Sequence, residues 1–249
     1  MVSSILTRVL AVCALVAAMA VWQPSSALAA DTEDQRMIVL DLSDSMNEYL
    51  EDSSTTKITA AKDALSNAVD AMPDTTHIGF RTFGGGCTDT RLETIIGPIK
   101  KDSLKRTIDT RDPEGGTPLA YGLERAGKDF TTSGRKSILL VSDGEETCGG
   151  DPVAVARNLA SSGINLCIDV IGFRVDSTAR DQLRAVADAA CGTFYDVDDG
   201  PQLGAQLQKG VCARSEPWTV ISIDQLGGMG QRGSGADVGA PRRSGRDCE

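Results

Sequence analysis

Three short segments carry side chains that could do chemistry together. Asp41-Leu42-Ser43-Asp44-Ser45 ends an apolar run, Gly115-Gly116-Thr117-Pro118 precedes an amphipathic stretch, and Ser142-Asp143-Gly144-Glu145-Glu146 follows a second apolar run. Alternation along the first segment turns the Asp41 carboxylate and the Ser43 and Ser45 hydroxyls toward one point as the chain leaves a strand. Thr117 adds a third hydroxyl and Asp143 a second carboxylate. All five are hard oxygen donors. They suit Mg²⁺, with Mn²⁺ or Ca²⁺ as alternatives, and not a thiol-seeking metal. Taken alone, Asp-x-Ser-x-Ser is equally a turn or a helix cap. Three segments in order at element boundaries favour a metal site. Glu145 and Glu146 stand beside the set, either as selectors of a ligand or as solvated loop charges.

Other chemistries are excluded by composition. The 249 residues contain one histidine, His77, too few for a two-histidine zinc site. It opens an apolar run and reads as structural or solvent-facing. With 35 Asp plus Glu against 25 Lys plus Arg, the net charge of −10 lacks the basic footprint that a nucleic-acid partner needs. Leu140-Val141-Ser142-Asp143-Gly144 lacks the first Gly of a nucleophile elbow. Gly134-Arg135-Lys136-Ser137 lacks the glycine spacing of a P-loop and precedes a strand.

The elements that must position the donors alternate along the chain. Met37–Leu42 is a buried strand, and Lys57–Met72 places Ile58, Ala61, Leu65, Ala68, Val69 and Met72 at helical spacing. His77–Phe83 is a second strand, and Leu92–Ile96 a short edge strand. A short helix begins at Asp102. Another opens at Thr117-Pro118, with Leu119, Leu123, Ala126 and Phe130 on one face. Then come a strand at Ser137–Val141, a helix from Asp151-Pro152 through Leu159, and a strand at Ile164–Phe173. A helix at Ser177–Ala190, a strand at Thr193–Val197 and a helix at Pro201–Val211 complete the series. Strands separated by helices imply parallel crossovers. The expected fold is a doubly wound, Rossmann-like α/β sandwich. Its central sheet is six-stranded and mostly parallel, with one short antiparallel edge strand and helices on both faces. Such sheets bind ligands at the carboxyl edge, where the strand order reverses, and that is where the donor segments fall.

On these residues the sequence resembles the von Willebrand factor type A domain. The matching features are Asp41-x-Ser43-x-Ser45, the Gly-Gly-Thr-Pro loop at Thr117, and the strand-Asp-Gly at Asp143. The segment Asp143 to Pro152 further resembles exported bacterial members of the family. The resemblance implies a metal-ion-dependent adhesion site. Ser43 and Ser45 would coordinate directly, Thr117 directly or through water, and Asp41 and Asp143 mostly through water. With few direct carboxylates, the cation would keep an open position for an Asp or Glu side chain of a protein partner.

Residues 1–29 read as a secretory signal peptide. Arg8 precedes a 14-residue apolar run from Val9 to Trp22, short for a membrane span, and Ala27-Leu28-Ala29 fits a cleavage site. Removal would make the net charge one unit more negative and leave no membrane span. It would also discard Cys13, leaving Cys87, Cys148, Cys167, Cys191, Cys212 and Cys248. An even number of cysteines in an exported chain favours disulfides, with several pairings open. The family's sheet order implies Cys87–Cys148 at the rim of the metal site. Cys167–Cys191 is the second pairing, which leaves Cys212 with Cys248. Residues 30–213 would form the von Willebrand factor type A domain. Residues 214–249 read as a Gly/Arg-rich flexible tail, whose abrupt composition would fit the end of a longer protein.

The expected function is therefore a secreted, non-enzymatic binding module with a divalent cation at Asp41, Ser43, Ser45, Thr117 and Asp143. One alternative is a haloacid-dehalogenase-like phosphatase with Asp41 as nucleophile. Such enzymes need a second Asp two residues on as general acid, where Ser43 stands here. A second alternative is a scaffold whose metal site is vestigial.

Overall fold

The computed structural model describes residues 33–51, 53–162 and 166–212. The proposed signal peptide, the tail and the Cys212–Cys248 pairing lie outside the described residues. Strand β1 (Gln35–Asp41) leads through a 3-10 turn (Asp44–Asn47) to helix α1 (Lys57–Ala71). Strands β2 (His77–Phe83) and β3 (Thr90–Pro98) follow, then helices α2 (Lys101–Asp109) and α3 (Leu119–Gly127). Strand β4 (Lys136–Ser142), helix α4 (Pro152–Ser161), strand β5 (Leu166–Phe173), helix α5 (Ser177–Ala189), strand β6 (Phe194–Val197) and helix α6 (Gly200–Cys212) complete the order.

The sheet order is β3-β2-β1-β4-β5-β6. Every pair is parallel except β2 with β3. Because β1 is central and covered on both faces, it reads as a continuous apolar run rather than an alternating one. Ile38 and Leu40 pack on one face with Ile58, Leu65 and Val69 of α1, Ile108 of α2, and Leu203 and Leu207 of α6. Met37 and Val39 pack on the other with Leu119 and Leu123 of α3, Ala156 of α4, and Leu183 and Val186 of α5. From β1 the chain pairs β2 on one side and β4 on the other, so the order reverses at β1 and opens a crevice at its carboxyl end.

Several boundaries differ from the sequence reading. The edge strand β3 spans nine residues, not the short Leu92–Ile96 segment. It pairs with β2 through register shifts around Phe80, and an edge position accepts its polar start and terminal Pro98. Helix α3 starts at Leu119, after Pro118, because Thr117 is held in the loop by Thr147. Phe130 falls beyond that helix yet still packs on its core. Residues 163–165, where β5 was expected to begin, lie outside the described set.

Candidate metal centre

Asp41 is the last residue of β1 and fully buried. The Ser43 N–H donates to its Oδ1 at 2.8 Å, folding the chain back as it leaves the strand. The Ser142 hydroxyl, at the end of neighbouring β4, donates to Asp41 Oδ2. Ser43 Oγ and Ser45 Oγ lie 3.1 Å apart. Ser45 Oγ donates to Asp143 Oδ1 at 2.8 Å. Met46, fully buried in the 3-10 turn, anchors this segment to the core. Thr117 is buried too, and a Cβ added to Gly144 would stand 3.8 Å from Ser45 Oγ and 3.9 Å from Thr117 Oγ1. The fold thus links Asp41, Ser43, Ser45 and Asp143 in one hydrogen-bonded run and brings Thr117 near Ser45 beside Gly144, at the switch point of the sheet.

The Gly-Gly pair is a consequence of close backbone approach. Gly115 has φ +67°, and a Cβ there would lie 2.5 Å from the Gly85 carbonyl oxygen. Without side chains, three loops can be stitched together. Gly116 N–H donates to Gly85 O at 2.8 Å, Asp44 N–H to Gly115 O at 2.9 Å, and Glu114 N–H to Leu42 O at 2.7 Å. Thr117 is fixed from the other side. Its N–H donates to Thr147 Oγ1 at 2.7 Å, and Thr147 N–H donates to Thr117 O at 3.1 Å.

Glu146 is committed to structure. Its Oε2 accepts from Ala120 N–H in the first turn of α3 and its Oε1 from Cys148 N–H, a favourable place for an anion. Glu145 is exposed. Cys87 and Cys148 form a disulfide with Cα atoms 5.3 Å apart, bridging the loops after β2 and β4. Cys167 and Cys191 form a second, Cα atoms 5.0 Å apart, where β5 begins. His77 stands at the start of β2, remote from the carboxyl edge, and its Nε2 lies 2.9 Å from Glu33 Oε2.

Sequence reading missed Lys57. Its Nζ donates to Asp143 Oδ2 at 2.8 Å and to Glu48 Oε2 at 2.7 Å. The residue is 7% exposed. A signal was present: Lys57 falls on the buried stripe of α1, in step with Ala61, Ala64 and Ala68, and puts a cation at a helix N-terminus where the dipole disfavours it. Burial opposes its charge, but the hydrogen bonds it donates to Asp143 and Glu48, with the charge of those carboxylates, outweigh that and hold its pKa above the usual lysine value.

Burial, with the charge of Asp143 adding to it, pushes Asp41 up to about 7 against the pull of its bonds from Ser142 and Ser43. Two carboxylates in a closed space thus favour added positive charge. Among the described residues, no three His, Cys, Asp or Glu side chains converge as a metal group. The cluster is instead hydroxyl-rich, and each carboxylate keeps unused lone pairs. Asp41, Ser43, Ser45, Thr117 and Asp143 could hold a hard divalent cation.

A reversal of strand order beside Asp-x-Ser-x-Ser defines an α/β module of the von Willebrand factor type A class. The chain belongs to that family, whose sequence model matches residues 37–209. Members are typically protein-interaction and adhesion modules. The chain is 28% identical over 169 residues to the uncharacterized protein YwmD of Bacillus subtilis (strain 168), covering 61% of this chain and 75% of that protein. Among solved structures it resembles BatB, a conserved hypothetical protein from Bacteroides thetaiotaomicron. The TM-score is 0.60 at 20% identity, covering 72% of this chain and 97% of that one. It also resembles proximal thread matrix protein 1 of the mussel byssus, in a form with a zinc-occupied MIDAS motif. There the TM-score is 0.59 at 20% identity, covering 72% of this chain and 45% of that one. Among the described residues, no helix is long and apolar enough to cross a membrane.

Proposed function

We propose that this chain is an exported, non-enzymatic binding module that engages an Asp or Glu side chain of a protein partner through a divalent cation. Asp41, Ser43, Ser45, Thr117 and Asp143 would hold the ion, with Mg²⁺ favoured and Mn²⁺ or Ca²⁺ as substitutes. The observation that carries this reading is the continuous hydrogen-bonded run Asp41–Ser43–Ser45–Asp143 at the switch point. When bound, the cation would supply a Lewis-acidic seat for a carboxylate. The hydroxyls bring no formal charge, so the seat would keep net positive character. The residues that orient it are fixed by Ser142, Thr147 and the loop stitching, so little ordering remains at the moment of binding.

Export is supported by two disulfides, which persist in oxidising compartments. A phosphatase with Asp41 as nucleophile is disfavoured, because that carboxylate is fully buried with both oxygens engaged. Capture of a partner from the secreting organism, with and without chelator, tests the proposal. Capture should vanish in chelator and in Asp41→Ala or Ser43→Ala. Capture that persists in all three would make the site vestigial and the module a scaffold acting through another surface.

A further inference from the structure

The buried ammonium of Lys57 stands on the inner face of the site. We propose that Lys57 is a positioning residue that keeps Asp143 from ligating the cation directly and thereby preserves the cation's charge for the partner's carboxylate. This rests on the metal reading above and deepens it.

Both carboxylate oxygens of Asp143 are engaged. Oδ1 accepts from Ser45 Oγ at 2.8 Å and Oδ2 accepts from Lys57 Nζ at 2.8 Å. The Asp143 side chain is 0% exposed and that of Lys57 8%. A carboxylate in this state is tied at both ends. Ligation through Oδ2 would have to displace Lys57, which strands a buried ammonium with one partner, and ligation through Oδ1 would compete with the bond from Ser45. Asp143 therefore acts through its hydrogen bonds.

Lys57 is itself held firmly. Its backbone N–H donates to Glu48 O at 2.9 Å, and Thr56 caps the helix that Lys57 begins by accepting from Thr59 N–H. Glu48 Oε2 holds the ammonium from the solvent side at 2.7 Å, with its own side chain 65% exposed. The line Glu48–Lys57–Asp143 is thus anchored outside and inside. Arginine could keep the charge, whereas methionine keeps the length and removes it.

Two effects follow for the chain's affinities. Lys57 weakens cation uptake, by its own charge and by occupying Asp143. It strengthens capture of an acidic group, because a carboxylate ligating in place of a water would have neutralised the seat. Affinity for the metal is exchanged for affinity for the partner.

The test uses the purified protein and Mn²⁺ alone. Binding is followed by electron paramagnetic resonance, and the exchangeable waters on bound Mn²⁺ are counted by water-proton relaxation. Lys57→Met should bind Mn²⁺ about tenfold more tightly and show roughly one water fewer, since each tenfold is about 1.4 kcal/mol. Lys57→Arg should keep the wild-type water count. Glu48→Gln, at an exposed side chain, should weaken Mn²⁺ binding with the water count unchanged, because it leaves the ammonium's charge less balanced. Unchanged or weaker Mn²⁺ binding by Lys57→Met with an unchanged water count would overturn the proposal. If that variant does not fold, tighter binding by Glu48→Gln would overturn it instead. Failure of the wild type to take up Mn²⁺ would overturn the metal reading beneath it.

Discussion

Ser45 Oγ and Asp143 Oδ1 lie 2.8 Å apart across 98 residues of sequence. This bond joins the loop leaving β1 to the loop leaving β4, at the place where the sheet changes direction. It adds to the Ser142–Asp41 bond in giving oxygens on two separate loops a common frame. Ser45→Ala should weaken Mg²⁺ or Mn²⁺ binding at least 10- to 100-fold, the range seen when partners around a metal are removed. The chelated protein should lose only about 1 kcal/mol of stability, the ordinary worth of one hydrogen bond. Titration calorimetry and thermal melts in chelator check the two halves separately.

Asp41 makes stability depend on pH. Its folded pKa is raised from 3.8 to about 7 by burial first and by Asp143 second. A carboxyl raised on folding binds a proton more readily in the native state. Its contribution is therefore present below the unfolded value, is lost as pH rises through about 7, and then stays constant. In chelator, melting temperature should fall as pH rises from about 4 to about 7, the interval between the unfolded and folded values. Asp41→Asn should flatten that slope and raise the melting temperature at the alkaline end. Saturating Mg²⁺ should restore stability there by mass action. A slope unchanged in Asp41→Asn would assign the dependence to another group.

The two disulfides should differ in their consequences. Cys87–Cys148 closes a separation of 61 residues and Cys167–Cys191 one of 24. The chain-entropy relation gives about 4 kcal/mol for the first and about 3 kcal/mol for the second. Replacing each pair by serine, and unfolding in urea, measures the order. The first replacement should also weaken cation binding, because Cys148 adjoins Thr147, which holds Thr117. The second, where β5 begins, should leave cation binding intact.

Much of this was legible in the chain. Met37–Leu42 reads as a buried strand because its run is apolar up to Asp41, and Asp151-Pro152 marks a helix start that the Asp151 carboxylate does cap. Asp41, Ser43, Ser45, Thr117 and Asp143 could be named because each sits within a short motif at an element boundary. Lys57 was not, because what matters is where its side chain ends rather than where it lies in sequence; the buried stripe of α1 was its one trace. Ser142 carries no signal of its own in the sequence, because its bond to Asp41 depends on β4 pairing with β1. The length of β3 escaped because edge strands tolerate polar residues, glycine and proline. Pro118 misled for a tertiary reason, since Thr147 keeps Thr117 out of the helix.

The Cys87–Cys148 bridge has a mechanical meaning. It ties the loops fed by β2 and β4, the two strands that flank β1 on either side. A load applied at the carboxyl edge of the sheet would pull on this covalent span as well as on loop hydrogen bonds. The tension divides between two buried parallel strands, and neither can peel off without dragging the other. Under the proposed metal-mediated binding, a pulled partner should part from the cation before the bridged rim loops part from the sheet.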